Sequence, residues 1–103
     1  MTNHVRMGIY AITRGTYDEL IEQARQGLAP ILRDSPGFVF YSTTDVGGGR
    51  FVSVSTWATR EQAEAAAERI AEWVSDNMAD SVALEENLIG EMTTLAATER
   101  SAV

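Results

Sequence analysis

Six side chains form a candidate ligand-binding set: Tyr10, Phe40, Ser55, Trp57, Trp73 and Asn77. Trp57 closes an alternating run and offers its indole either to a flat ligand or to a core beneath a helix. Tyr10 carries a hydroxyl able to donate to a phenolate-type oxygen or to a backbone carbonyl. Trp73 stands at the edge of a helical apolar stripe, where it serves as an aromatic lid, a dimer contact or half-buried packing. Asn77 falls inside that stripe, between Ala66 and Ile70. An unpaired amide there costs about 1–3 kcal/mol, so it either caps the helix end or meets a ligand. Arg6 shares parity with Tyr10 and reaches an anionic ligand or, from a strand end, solvent. His4, the only histidine, lies near the terminus and reads as a solvated side chain, which leaves no general base identified and the catalytic residues unknown.

Other chemistries are excluded by what the chain lacks. All eight cations are arginine, so lysine Schiff-base chemistry is absent, and without cysteine there is neither a disulfide nor a thiolate. The glutamates of the second helical region, spaced without a histidine, match a solvated face and not a metal site; no metal and no cofactor is expected. Gly47-Gly48-Gly49 is followed by a strand pattern, so it is a turn and not a phosphate loop. A net charge of -7 with scattered arginines argues against nucleic-acid binding. No run reaches the roughly 18 apolar residues of a membrane span, and the first residues lack the apolar centre of a signal peptide, so a cytoplasmic protein is expected. At 103 residues, one domain spanning 1–103 is expected, burying roughly two-thirds of the surface its unfolded chain exposes.

The elements that position the candidates follow from periodicity. Val5, Met7, Ile9 and Ala11 alternate as a strand. Thr16-Tyr17-Asp18-Glu19 and Thr59-Arg60-Glu61-Gln62 are capping boxes that open two helices. The first carries Tyr17, Leu20, Ile21, Ala24, Leu28, Ile31 and Leu32 in one stripe, with a kink or restart after Gly27 imposed by Pro30. Phe38–Thr44 and Phe51–Trp57 read as strands joined by the glycine turn into an antiparallel hairpin. The second helix ends between Asn77 and Asp80, Asp80 to Asn87 is an unassigned connector, Leu88 to Leu95 is the last strand, and Thr98 to Val103 is a frayed tail. The resulting fold class is α+β: a ferredoxin-like βαββαβ antiparallel sheet with two helices on one face.

Two helices cover one sheet face, yet both faces carry large apolar residues. Strict alternation groups Val5, Met7, Ile9, Val39, Tyr41, Val52 and Val54 on one side, and Tyr10, Ile12, Phe38, Phe40, Phe51 and Trp57 on the other. The second group mixes bulky rings with Gly8, Ser53 and Ser55, which leaves room for a pocket beneath the helices. The first group is expected to pack on a second copy, giving a homodimer through Val39, Tyr41, Val52 and Val54.

With this element order, Pro36-Gly37-Phe38 and Tyr41 opening the second strand, Trp57 closing the third, and Ala71-Glu72-Trp73-Val74 with Asn77, the chain resembles the antibiotic-biosynthesis-monooxygenase-like family over about Val5 to Leu95. The resemblance implies a dimeric α+β barrel. Its heme-degrading branch uses a first-strand asparagine, a third-strand tryptophan and a histidine on the second helix. Trp57 matches the tryptophan, but Gly8 and Ala67 stand near the other two positions, so heme is rejected. Its cofactor-independent branch oxidises aromatic substrates by deprotonating a phenol and stabilising the anion. The resemblance thus implies a monooxygenase acting on an aromatic or polyketide-like small molecule. The alternative is a non-catalytic small-molecule-binding or stress-associated dimer on the same fold.

Overall fold

In the computed structural model, which describes residues 2–97, the chain begins with strand β1 (Asn3–Ile12) and helix α1 (Tyr17–Gly27). Helix α2 (Ala29–Arg33), strands β2 (Phe38–Gly47) and β3 (Arg50–Trp57), helix α3 (Arg60–Asn77) and strand β4 (Val82–Met92) follow. The tail expected over Thr98–Val103 lies outside the described residues.

Both capping boxes form. The Thr16 hydroxyl accepts from the Glu19 amide at 3.2 Å while Glu19 Oε1 accepts from the Thr16 amide at 3.0 Å. Thr59 and Gln62 repeat the exchange at 3.2 and 3.1 Å, so each helix start has its free amides satisfied in both directions. Pro30 sits in the first turn of α2, where its missing amide costs nothing, and the break falls at Leu28. This restart turns Ile31 out to solvent, whereas Leu28 and Leu32 stay buried. The apolar stripe therefore skips Ile31.

The four strands are antiparallel, in the order β2-β3-β1-β4, with α1 and α3 sharing one face: a ferredoxin-like α+β arrangement. Turn residues Gly47, Gly48 and Gly49 all hold positive φ, which only glycine adopts without strain. Strand β4 starts six residues before Leu88 and ends at Met92. Its early half escapes periodicity because it is an exposed edge strand bearing Glu85 and Glu86, and its register shifts between Ile9 and Tyr10 of β1.

A second register shift, between Phe38 and Phe40, corrects the expected faces. Phe38 lies opposite Trp57, but Phe40 lies opposite Thr56 and Tyr41 opposite Ser55. The bulge moves Phe40 to the outer face and Tyr41 under the helices, so the two residues exchange the roles that strict alternation assigns them. No helix of the described residues is long and apolar enough to cross a membrane.

Candidate functional site

The helix-covered face of the sheet is built in rows of directly opposed residues. One row is His4, Trp57 and Phe38, the last two rings meeting edge to face at 5.6 Å; His4, expected in solvent, is half-buried and its Nδ1 is buried without a partner. Another is Tyr10 with Phe51, stacked at 5.1 Å. Between them run Arg6–Ser55–Tyr41 and Asn87–Gly8–Ser53–Thr43. A polar stripe drawn from all four strands thus crosses the middle of the helix-covered face, between the Trp57–Phe38 and Tyr10–Phe51 ring pairs.

Arg6 is the centre of this stripe. It is 1% exposed and the only charged residue buried to that degree among the described residues. Its Nε donates to Asn87 Oδ1 at 2.6 Å and its Nη2 to the Tyr10 hydroxyl at 3.1 Å. Nη1 is buried without a partner. The ion pairs among the described residues, Glu22–Arg25, Arg50–Glu85 and Arg60–Glu64, are all at the surface, and none reaches Arg6. A buried cation without a counter-charge carries a desolvation penalty of several kcal/mol. Gly8 makes the arrangement sterically feasible: a Cβ there would stand 2.6 Å from Arg6 Nη2 and 2.8 Å from Tyr10 Cε1. The room that the small residues were expected to leave for a ligand is, over Gly8, filled by this guanidinium.

Beside the stripe, a mainly apolar cavity of about 20 Å³ lies between α1, α3 and the sheet, with Tyr10, Tyr41, Thr43 and Ser53 among its lining residues. That is space for about one water molecule. Ile21, Ala24, Tyr41 and Thr43 also wall an open groove of about 190 Å³ between the helices and β2, with Arg25 among the other residues lining it. The Tyr17 and Thr43 hydroxyls bond at 2.8 Å, tying the start of α1 to β2. Burial pushes the Tyr41 phenol above its ordinary range of 10.0; the Ser53 hydroxyl lowers it, Tyr10 raises it and Arg6 lowers it.

Of the expected ligand-binding residues, Tyr10 and Trp73 line the cavity. Trp73 is half-buried, and its ring lies against Gly27, where a Cβ would approach Cζ2 to 2.7 Å. Trp57 and Ser55 are buried on the same sheet face but do not line the cavity; Trp57 Nε1 and Ser55 Oγ lack partners. Phe40 is on the opposite face. Asn77 is exposed: its Nδ2 donates to the Trp73 carbonyl at 2.9 Å and its own carbonyl accepts from Gln23 at 3.1 Å, so it closes α3 and does not face the cavity. Tyr41, expected at a dimer contact, belongs instead to the cavity wall. Tyr17, Thr43 and Asn87 lie outside the expected set, and Ser53 was expected only as a small residue leaving room; the apolar stripe of the first helix is the signal that aims Tyr17 inward.

No family model and no curated protein matches the sequence. Solved structures do match. MupZ from Pseudomonas fluorescens is similar at a TM-score of 0.69 and 12% identity, covering 86% of this chain and 71% of that one. SnoaB from Streptomyces nogalater, a cofactor-independent oxygenase, is similar at 0.67 and 14% identity, covering 96% and 99%. A candidate antibiotic biosynthesis monooxygenase from Nitrosomonas europaea is similar at 0.63 and 23% identity, covering 93% of each chain. The chain has the fold of the antibiotic biosynthesis monooxygenases. At such identities the likeness extends to the fold, and the chemistry rests on the site.

Proposed function

We propose that this protein is an oxygenase that acts without metal or flavin on an aromatic or polyketide-like small molecule held between the helices and the sheet. The observation that carries this reading is the polar stripe around a buried, carboxylate-free arginine beside a groove walled by Ile21, Ala24 and Tyr41, on a fold shared with a cofactor-independent oxygenase. In such a reaction the substrate is its own reductant. An acidic ring CH2 or phenol loses a proton, the anion passes electrons to dioxygen, one oxygen atom enters the product as a carbonyl and the other leaves as water. Stabilising the anion is what a cation in a low-dielectric site does best.

A second reading, a small-molecule-binding dimer without catalysis, is favoured by one observation: no carboxylate or imidazole lines the cavity to take the substrate proton. Oxygen uptake by metal-stripped protein, measured over a panel of phenolic polycyclic compounds, separates the two. The oxygenase reading predicts uptake above the spontaneous rate with one product per dioxygen consumed. Tight binding without uptake across the panel would replace it with the binding reading.

The outer sheet face supports a homodimer under either reading. Its middle row runs Leu88–Met7–Val54–Ser42, flanked by Val5 and Phe40 on one side and Ile9 and Val52 on the other. Met7, Phe40 and Leu88 remain 38%, 38% and 45% exposed. A contiguous apolar face spanning four strands is well suited to a second copy of itself. The sequence-derived contact set is thereby revised, with Phe40 replacing Tyr41 beside Val52 and Val54.

A further inference from the structure

We propose that Trp73 is a displaceable plug: its indole, seated on Gly27, fills the gap between α1 and α3 at the edge of the apolar cavity, and an uncharged planar ring enters by taking the place this indole gives up. The inference rests on the functional reading above only for a ligand lying between the helices and the sheet. Its first support is size. The cavity of about 20 Å³ holds about one water molecule, whereas about 150 Å³ suffices for benzene, so a ring enters only where a lining side chain withdraws. The second support is which side chain can withdraw. Among the residues that line the cavity, Ile21, Tyr41, Thr43, Trp73 and Val74 are only partly buried. The Thr43 hydroxyl is bonded to Tyr17 and that of Tyr41 to Ser53, so moving either breaks a hydrogen bond. Ile21 and Val74 are β-branched residues on helices, held close to one rotamer, and withdrawing either frees little volume. Trp73 is the largest of the set.

The third support is how Trp73 is held. Its ring edge lies over Gly27, the last residue of α1, where a Cβ would stand 2.7 Å from Cζ2 and 3.1 Å from both Cε2 and Nε1. Gly27 does not have a positive φ, so no turn requires a glycine there, and glycine weakens a helix relative to alanine. What its missing side chain provides is a seat for the ring. That seat is shallow, because a flat ring against a glycine interlocks with no side chain. Trp57 is the contrast: it is 0% exposed and packed edge to face against Phe38. One tryptophan is core and the other is plug. The charge limit follows from the lining, which among the described residues includes no arginine, carboxylate or imidazole, so an ion would enter without a counter-charge. Trp73 is thus a specificity-determining residue, setting the size of the group admitted, while the cavity behind it sets the polarity.

The test labels the intact chain with 5-fluorotryptophan; its two tryptophans give two fluorine resonances, assigned with Trp73→Phe. Indole is the uncharged probe, and indole-3-carboxylate is the same ring system bearing a charge. The plug predicts that indole binds wild-type protein, shifts the Trp73 resonance and raises its solvent isotope effect toward that of an exposed indole, while the Trp57 resonance stays in place. Gly27→Ala keeps every cavity-lining residue but removes the seat, so the closed state is less populated and indole binds at least about threefold tighter than to wild type. Trp73→Ala, with no ring to displace, binds indole at least about tenfold tighter. Indole-3-carboxylate binds each of these proteins at least about tenfold more weakly than indole does. A purely packing role for Trp73 predicts instead that Gly27→Ala loses stability without gaining affinity, and that result overturns the proposal. So does a wild-type protein that does not bind indole, binding that leaves the Trp73 resonance in place, or equal affinity for the carboxylate. Should Gly27→Ala not fold, Trp73→Phe, a smaller plug, carries the same expectation of tighter binding, and unchanged affinity there overturns it. Oxygen uptake plays no part in these outcomes, so the plug and the oxygenase reading fail separately.

Discussion

Tyr41 shows how one side chain reports on the whole buried face. Its phenol is pushed above 10.0 chiefly by burial, so the folded state holds that proton more tightly than the unfolded chain does. The contribution to stability is complete below pH 10 and is lost as pH rises through the folded value. Thermal denaturation followed from pH 8 to about 11.5 is therefore expected to show a steeper fall above pH 10 for wild-type protein than for Tyr41→Phe; parallel curves would contradict this. Tyr10 and the two tryptophans were legible as aromatic candidates from parity and helical spacing alone. Arg6 was half legible: its parity with Tyr10 placed it on the right face, but a strand-end arginine normally reaches solvent. Only the missing Cβ of Gly8 and the carboxamide of Asn87, which lies 81 residues away in sequence, show why it stays inside. Trp57 and Trp73 divided their roles for a similar reason. The strand end buries the first completely, whereas Gly27 leaves a gap between α1 and α3 that the second ring fills at the cavity edge.

At the level of elements, helix starts were the most legible features, because a capping box is a contact between residues three apart and needs no tertiary context. The hairpin turn was equally local. What escaped were the bulge at Val39, which depends on the partner strand, and the first half of β4, an exposed edge whose Glu85 and Glu86 leave no apolar alternation to read. The Pro36-Gly37-Phe38 motif has a physical explanation at this level. Gly37 has a φ of 80°, its carbonyl accepts from the Ala58 amide at 2.9 Å, and a Cβ on it would overlap the carboxamide of Gln62, the residue that closes the capping box of α3. The motif thus seats the start of α3 on the hairpin and takes no part in the cavity. Gly37→Ala is expected to destabilise the fold by about 1–3 kcal/mol in denaturant titration, through both the positive φ and the displaced Gln62. Unchanged stability would refute this.

For the whole molecule, the two faces of the sheet differ: the outer one is apolar and partly exposed, and is proposed to meet a second copy, while the inner one carries the polar stripe beneath the helices, where a ligand is proposed. Val54 lies in the centre of the outer face, opposite Met7 and Ser42. Val54→Asp is expected to give a folded monomer by light scattering, or to prevent folding; a well-folded dimer would exclude this face as the interface. The most direct measurement of the division itself is amide chemical-shift mapping with 4-nitrophenol on the intact chain. The largest changes are expected at Ile21, Ala24, Tyr41 and Thr43, the residues that line both groove and cavity, with Tyr10 and Ser53 next. Changes confined to the outer residues Val5, Met7, Val52 and Val54, or none at saturating probe, would contradict it.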